Sequence, residues 1–252
     1  MHIILDMDKL TNNINSDLWQ QRTTLLLGEE RVRHLHDSHV LIVGTGGVGG
    51  YAAEMICRAG IGHITLVDAD TINESNINRQ IIALHSDINK VKVEVMGARL
   101  MDINPALDLR IINKFLSEDN IPQLLDDNRF DFIVDCIDTI TPKICLITSA
   151  VDRNIKIISS LGAGAKTDIS KIAVTDISKT YNCTLGKTVR KRLRLKGYGK
   201  CKVPAVFSSE LPDMNAVIAV EGERNKKTTA GTISYMPAVF GCYLAEYVIK
   251  MI

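Results

Sequence analysis

Gly44-Thr45-Gly46-Gly47-Val48-Gly49 is the stretch whose reading decides the fold. Before it lies Val40-Leu41-Ile42-Val43, a short apolar, β-branched run of the kind that forms a buried parallel strand. After it, Tyr51 to Ala59 reads as a helix. The glycines therefore mark a strand-to-helix turn, the context that gives a G-x-G-x-x-G pattern its meaning. At such a turn Gly44 permits the tight bend, Gly46 lets phosphate oxygens approach the backbone, and Gly49 lets helix pack on strand. The first helical turn offers free N–H groups and a partial positive charge to an anion. A second strand, His63 to Val67, ends at Asp68, roughly twenty residues beyond the glycines, where a carboxylate can accept from a ribose hydroxyl. The expectation is a Rossmann-type nucleotide site. The alternative is a glycine-rich turn that serves only helix–sheet packing.

Outward from that turn the alternation continues. Glu29 to His36 reads as a short helix leading into the first strand, and Lys90 to Ile103 has helical period until Asn104-Pro105 stops it. Leu109 to Ile112 is a third strand, Ile121 to Asp126 a short helix and Phe130 to Val134 a fourth strand. Pro142 lies near the start of another helix, and Lys156 to Ser160 is a fifth strand. The pattern predicts an α/β fold with a Rossmann-like, doubly wound, mainly parallel sheet. Beyond Gly164 it changes: Lys171 to Asp176 starts an antiparallel C-terminal extension, a polar loop covers Glu221 to Thr229, and a last helix runs through Ala238, Leu244 and Val248. We expect one domain over 1–252, with an N-terminal arm at about 1–28, ragged over its first dozen residues, and a basic insert at about 183–203.

Composition narrows the class. A chain of 252 residues, 46% hydrophobic and 23% charged, has the make-up of a globular protein with a sizeable core. Net charge is +1, so any nucleic-acid affinity must come from a local patch. The six cysteines form no C-x-x-C pair, which argues against a four-thiolate zinc site. Cys57, Cys136 and Cys145 fall in apolar patterns and read as reduced core residues. There is no basic segment followed by an apolar run at the N-terminus, and the C-terminal apolar stretch is interrupted by Glu246 and Lys250. The expectation is a cytoplasmic protein without stable membrane insertion. The i, i+4 spacing of Glu246 and Lys250 favours a helix packed on the core.

Three features turn the nucleotide reading away from hydride transfer. Asn76-x-Asn78-Arg79-Gln80 follows the acidic strand end, Lys92 opens the next helix, and Asp138 sits past the fourth strand. All can reach the crevice outside the carboxyl ends of the strands. An arginine and a lysine suit a triphosphate whose charge grows on the leaving pyrophosphate, and a carboxylate suits Mg²⁺. Taken singly, plainer roles stay open: Arg79 as a surface ion pair, Lys92 as a solvated helix residue, Asp138 as a helix cap.

Together these motifs, with Asp68-x-Asp70 and Asp135-x-x-Asp138, resemble the adenylation domain shared by ubiquitin-activating enzymes and the bacterial adenylyltransferases of thiamine and molybdopterin synthesis. The resemblance runs from about Trp19 to the C-terminus and implies ATP and Mg²⁺. It assigns Asp68 to the ribose, Asn78, Arg79 and Lys92 to the phosphates, and Asp138 to the metal. Gly44, Gly46, Gly47, Asn76 and Thr139 complete the nucleotide-binding set. Arg22 matches an arginine donated across a homodimer interface. Local wording in Asn78-Arg79-Gln80-Ile81-x-Ala83-Leu84, Ala173-Val174-Thr175-Asp176 and Val206 to Glu210 is similar to the branch that acts on threonylcarbamoyladenosine in tRNA. That branch implies adenylation of the threonyl carboxylate, attack by the carbamoyl group of the same nucleoside, and expulsion of AMP with net loss of water. An intramolecular nucleophile needs no thiol, although Cys183 and Cys201 fall where related enzymes place one. The rival is an adenylyltransferase acting on the C-terminus of a ubiquitin-like sulfur carrier. Whether a sulfur-relay protein docks here stays open.

Lys187, Arg190, Lys191, Arg192, Arg194 and Lys196 form a basic run with no acid, and Tyr198 adds an aromatic face. Such side chains neutralise phosphates and release counterions. The expectation is a tRNA-docking element near the ATP site; a solvated helix face is the alternative.

Overall fold

The computed structural model describes residues 18–219 and 228–252. The predicted ragged first dozen residues, and residues 221–227 of the predicted polar loop, lie outside them. A 3-10 turn at Leu18–Gln20 leads into α1 (Gln21–Leu27) and α2 (Glu29–Asp37), then β1 (His39–Val43), α3 (Gly49–Arg58) and β2 (His63–Asp68). Next come α4 (Lys92–Ile103), β3 (Asp108–Asn113), α5 (Ile121–Asp126), β4 (Phe132–Asp135), α6 (Ile140–Asp152) and β5 (Lys156–Ser160). The chain then forms β6 (Ile172–Asp176), α7 (Thr184–Leu195), β7 (Pro204–Ser208), β8 (Val217–Ala219), β9 (Thr228–Ala230) and α8 (Tyr235–Met251).

Seven strands make one sheet in the order β3-β2-β1-β4-β5-β7-β6, and β8 pairs with β9 separately. Strand β1 pairs in parallel with β2 and β4, aligning Val43 with Val67 and with Asp135. Among the described residues of the seven-stranded sheet only β6 is antiparallel, running against β7 from Ile172 opposite Ser208 to Asp176 opposite Pro204. The doubly wound, mainly parallel expectation holds, with two additions. Strand β7 enters between β5 and β6, and Thr228 and Thr229 of the expected loop belong to β9.

Strand periodicity explains why β1 reads as unbroken apolar sequence. Val40 and Ile42 face the cluster under α3, α4 and α8, while Leu41 and Val43 face the cluster under α5, α6 and α7. Helix α8 belongs to the first cluster: Phe240, Leu244 and Val248 are fully buried, each worth about 1.5–3 kcal/mol of burial. Gly241 lets it press on α3, because a Cβ there would sit 2.6 Å from Val48 O and 2.7 Å from Tyr51 Cβ. Arg31 donates to the Ile249 and Lys250 carbonyls at 2.7 Å, closing the carboxyl end of α8 with a cation. No helix among the described residues is long and apolar enough to cross a membrane.

Candidate active site

The glycine loop follows β1, Asp68 ends β2 and the Asp135–Asp138 turn ends β4, so three candidate segments leave the parallel sheet on one edge. Gly44, Gly47 and Gly49 are sterically constrained there. Gly44 has φ +91 and would bring a Cβ to 3.0 Å from Cys136 O; a Cβ at Gly49 would collide with Gly44 O. At Gly47 the added carbon would lie 3.2 Å from Pro237 Cβ and 3.4 Å from Arg79 Cγ. The loop is thus pinched between the β4 turn, α8 and the arginine motif.

Asp68 is tied to that loop. Its Oδ2 accepts from the Thr45 amide at 2.7 Å and from the Thr45 hydroxyl at 3.0 Å, and its Oδ1 accepts from the Asp70 amide at 2.9 Å. Lone pairs remain on both oxygens for a ribose hydroxyl. The 70–72 and 89–92 segments zip together through the Thr71–Val91 bridge, and the Lys92 amide donates to Asp70 O at 3.0 Å. This sets Lys92 at the first position of α4, buried, with Nζ donating to Asp70 Oδ2 at 2.8 Å. Lys92 is therefore not a solvated helix residue.

The asparagine-arginine motif is equally constrained. Arg79 donates to Ser75 O at 2.8 Å and to Asn78 Oδ1 at 2.9 Å, while Asn78 Nδ2 donates to Thr232 O at 2.9 Å. Arg79 has no surface ion-pair partner among the described residues; its bonds aim the guanidinium. Asn76 is buried and its Oδ1 accepts from the Asn73 amide at 3.1 Å, shaping the turn that carries Asn78 and Arg79. Asp138 is exposed beyond β4, and Thr139, not Asp138, holds the cap position of α6. No group of three His, Cys, Asp or Glu side chains able to hold a metal occurs among the described residues. One exposed carboxylate beside a phosphate cradle is the donor set Mg²⁺ accepts, since it takes its other ligands from phosphates and water.

Arg22 lies elsewhere. Gln20, two residues before it, packs against Gly60 just past the carboxyl end of α3, the end opposite the glycine loop. Arg22 is exposed there on α1, whose Leu25 and Leu26 are 71% and 82% exposed. The structure does not bring Arg22 of the same chain to the site.

Of the cysteines, Cys57 is buried and pushed up to about 12, and burial also raises the thiols of Cys136, Cys145 and Cys242. Cys183 is also buried, and its Sγ accepts from the Gly186 amide at 3.3 Å at the start of α7. The basic run forms α7, with Val189 and Leu193 inward and Lys187, Lys191, Arg192 and Arg194 exposed. Two of the expected docking cations are engaged within the chain. Arg190 is half-buried and donates to Thr180 Oγ1 at 2.6 Å, and Lys196 lies 3.7 Å from Glu118. Tyr198 is no free stacking face, because its hydroxyl donates to Asp152 at 2.7 Å and its ring packs on the core.

A profile of the ThiF family matches residues 20–252. The chain belongs to the ThiF family. This ThiF-family chain is 36% identical over 235 residues to the tRNA threonylcarbamoyladenosine dehydratase of Bacillus subtilis, covering 90% of this chain and 92% of that one. It is 34% identical over 254 residues to the Escherichia coli enzyme of the same name, covering 93% and 94%. The crystal structure of that E. coli dehydratase, TcdA, in complex with ATP superposes with a TM-score of 0.84 at 33% identity, covering 94% of this chain and 96% of that one.

Two residues of this ThiF-family site, Lys143 and Lys166, escaped the sequence reading, and Gln80 entered it within its motif but without a role of its own. Gln80 is buried with Oε1 unpartnered among the described residues, and its Nε2 lies 3.7 Å from where a Gly46 Cβ would be. Lys143 of α6 pairs with Asp135 beneath the β4 turn. Lys166 is buried where the β5–β6 connection meets α7. For Lys143 a signal existed: a lone cation inside the apolar run from Pro142 to Ala150.

Proposed function

We propose that this chain uses ATP to activate the threonyl carboxylate of threonylcarbamoyladenosine in tRNA and closes it into a ring. Overall one water is lost from the nucleoside, and ATP leaves as AMP and pyrophosphate. The carboxylate attacks the α-phosphorus, pyrophosphate departs, and the carbamoyl group then displaces AMP from the acyl carbon. Arg79 and Lys92 take the charge that grows on the leaving pyrophosphate, held in place by Ser75, Asn78 and Asp70 before any ligand arrives. Asp68 orients the ribose from its fixed position against Thr45. Asp138 would hold Mg²⁺, which when bound neutralises phosphate oxygens.

The observation that carries the reading is the convergence on one sheet edge of the glycine cradle, Asp68, the cations Arg79 and Lys92, and Asp138, in a chain alike over nine-tenths of its length to dehydratases of that name. Helix α7 begins on the same edge, since its cap Cys183 lies 3.4 Å from where a Gly162 Cβ would be, just past β5. Its four exposed cations then offer a tRNA surface beside the nucleotide. Arg22 serves a second copy in a homodimer, which suits an exposed apolar α1 far from its own glycine loop. ATP and tRNA as substrates suit a cytoplasmic enzyme. The test is AMP formation with tRNA that carries threonylcarbamoyladenosine against tRNA that lacks it. AMP release equal with both, or with neither, refutes the reading.

A further inference from the structure

Lys166 is 4% exposed, yet no carboxylate lies within ion-pairing distance of it among the described residues. Its Nζ donates to Ser208 O at 2.7 Å and to Asn182 O at 2.9 Å, which leaves a third N–H. Burial lowers its pKa, against the opposing pull of Cys183 and Glu210. A buried cation is ordinarily paired. Lys166 instead lines a cavity of about 220 Å³, together with Thr167, Glu210, Asp213, Gly231 and Ile233.

Glu210 is held in the wall of this cavity. Its carboxylate accepts from the Thr167 amide at 3.0 Å and the Asp168 amide at 2.9 Å, with lone pairs left over. Ala165, also in the wall, has φ +59, a left-handed conformation that a side chain resists. It is kept there because its amide donates to Gly231 O at 2.8 Å and its carbonyl accepts from the Asp213 amide at 2.9 Å. Strain maintained in this way marks sites more often than plain loops.

The cavity lies between the phosphate motif and the basic helix. On one side Asn78 of the phosphate motif donates to Thr232 O, between the lining residues Gly231 and Ile233. On the other side Lys166 holds Asn182 O, the carbonyl just before the cap of the basic helix α7. We propose that this cavity receives the amino-acid appendage of the nucleoside, an N-carbamoyl amino acid. Lys166 faces its carboxylate and Glu210 accepts from its carbamoyl N–H. Holding both ends of the appendage in one cavity favours their ring closure. The assignment rests on the proposed function above.

The experiment compares wild type, Lys166→Met and Ile233→Trp by steady-state turnover of tRNA bearing threonylcarbamoyladenosine, with ATP affinity and affinity for unmodified tRNA measured alongside. Ile233→Trp narrows the cavity from a residue that is 43% exposed, so it tests the cavity even if Lys166→Met fails to fold. The expected result is a loss of kcat/KM for modified tRNA of about tenfold or more in Ile233→Trp and about a hundredfold in Lys166→Met, with both affinities unchanged. Folded variants as active as an active wild type overturn the cavity assignment alone. A wild type inactive on modified tRNA overturns the proposed function and this assignment with it.

Discussion

Lys143 Nζ lies 2.6 Å from Asp135 Oδ2, and neither side chain has any solvent exposure. Ser159 Oγ also donates to that oxygen at 2.6 Å, and Lys143 donates further to Ser160 O at 2.9 Å. The other oxygen of Asp135 accepts from the Ile137 amide at 3.1 Å, one residue before Asp138. The pair thus fastens β4, β5 and α6 beneath the turn that presents Asp138. Lys143→Met strands a buried carboxylate and is expected to cost about 3–5 kcal/mol in urea unfolding. Adding Asp135→Asn should recover most of that loss; a double variant no more stable than the single one contradicts the pairing argument.

Lys92 offers the opposite case. Its partner Asp70 has a side chain 68% exposed, so removing the lysine leaves a carboxylate that water can solvate. Lys92→Met, which keeps the buried stem, should therefore unfold within about 1 kcal/mol of the parent yet lose roughly 100- to 1,000-fold in AMP formation. Unimpaired turnover would remove Lys92 from the phosphate site.

Asp138 is tested by metal dependence. The Asp138→Asn variant should need a higher Mg²⁺ concentration for half-maximal AMP formation, at least about tenfold, while nucleotide binding without metal is unchanged. A Mg²⁺ titration that superimposes on the parent curve excludes Asp138 as the metal ligand.

The β1–α3–β2 unit was legible because both sheet faces are buried and the glycines leave no other turn, and the structure reproduces its strand ends at Val43 and Asp68. Strand β7 escaped notice because Pro204 opens it and its partners β5 and β6 lie far back in the chain. Arg190 and Tyr198 misled for a related reason. Charge and aromaticity are visible in sequence, but not that Thr180 and Asp152 would claim them. Lys166 carries no local mark at all, since its carbonyl partners belong to residues 182 and 208.

The basic helix makes a prediction that separates its own residues. Reversing the exposed Lys187, Lys191 and Arg194 to Glu should weaken tRNA binding and flatten its log–log salt dependence by roughly 0.7–0.9 for each phosphate no longer neutralised. Arg190→Met should instead lower thermal stability, because it removes the bond that Thr180 Oγ1 accepts and leaves that hydroxyl only its donation to Ile177 O, with the salt slope unchanged. Equal effects on the slope would contradict the inward orientation of Arg190.

Glu54 gives the acid limit of the fold. Burial works to raise its carboxyl, but hydrogen bonds from Arg99 and Arg58 outweigh it and hold the group below its ordinary value of 4.5. Its stabilisation is fully present above that value and is lost as pH falls through the lowered folded-state pKa. Urea midpoints of the parent should drop more steeply below about pH 4.5 than those of Glu54→Gln. Parallel profiles would refute the role.

The most direct measurement is mass spectrometry of nucleosides from tRNA bearing threonylcarbamoyladenosine, after incubation with this protein, ATP and Mg²⁺. The account predicts that the nucleoside loses the mass of one water, only when ATP is present and with one AMP released per nucleoside converted. An unchanged nucleoside, in tRNA shown to carry the open form, would contradict it.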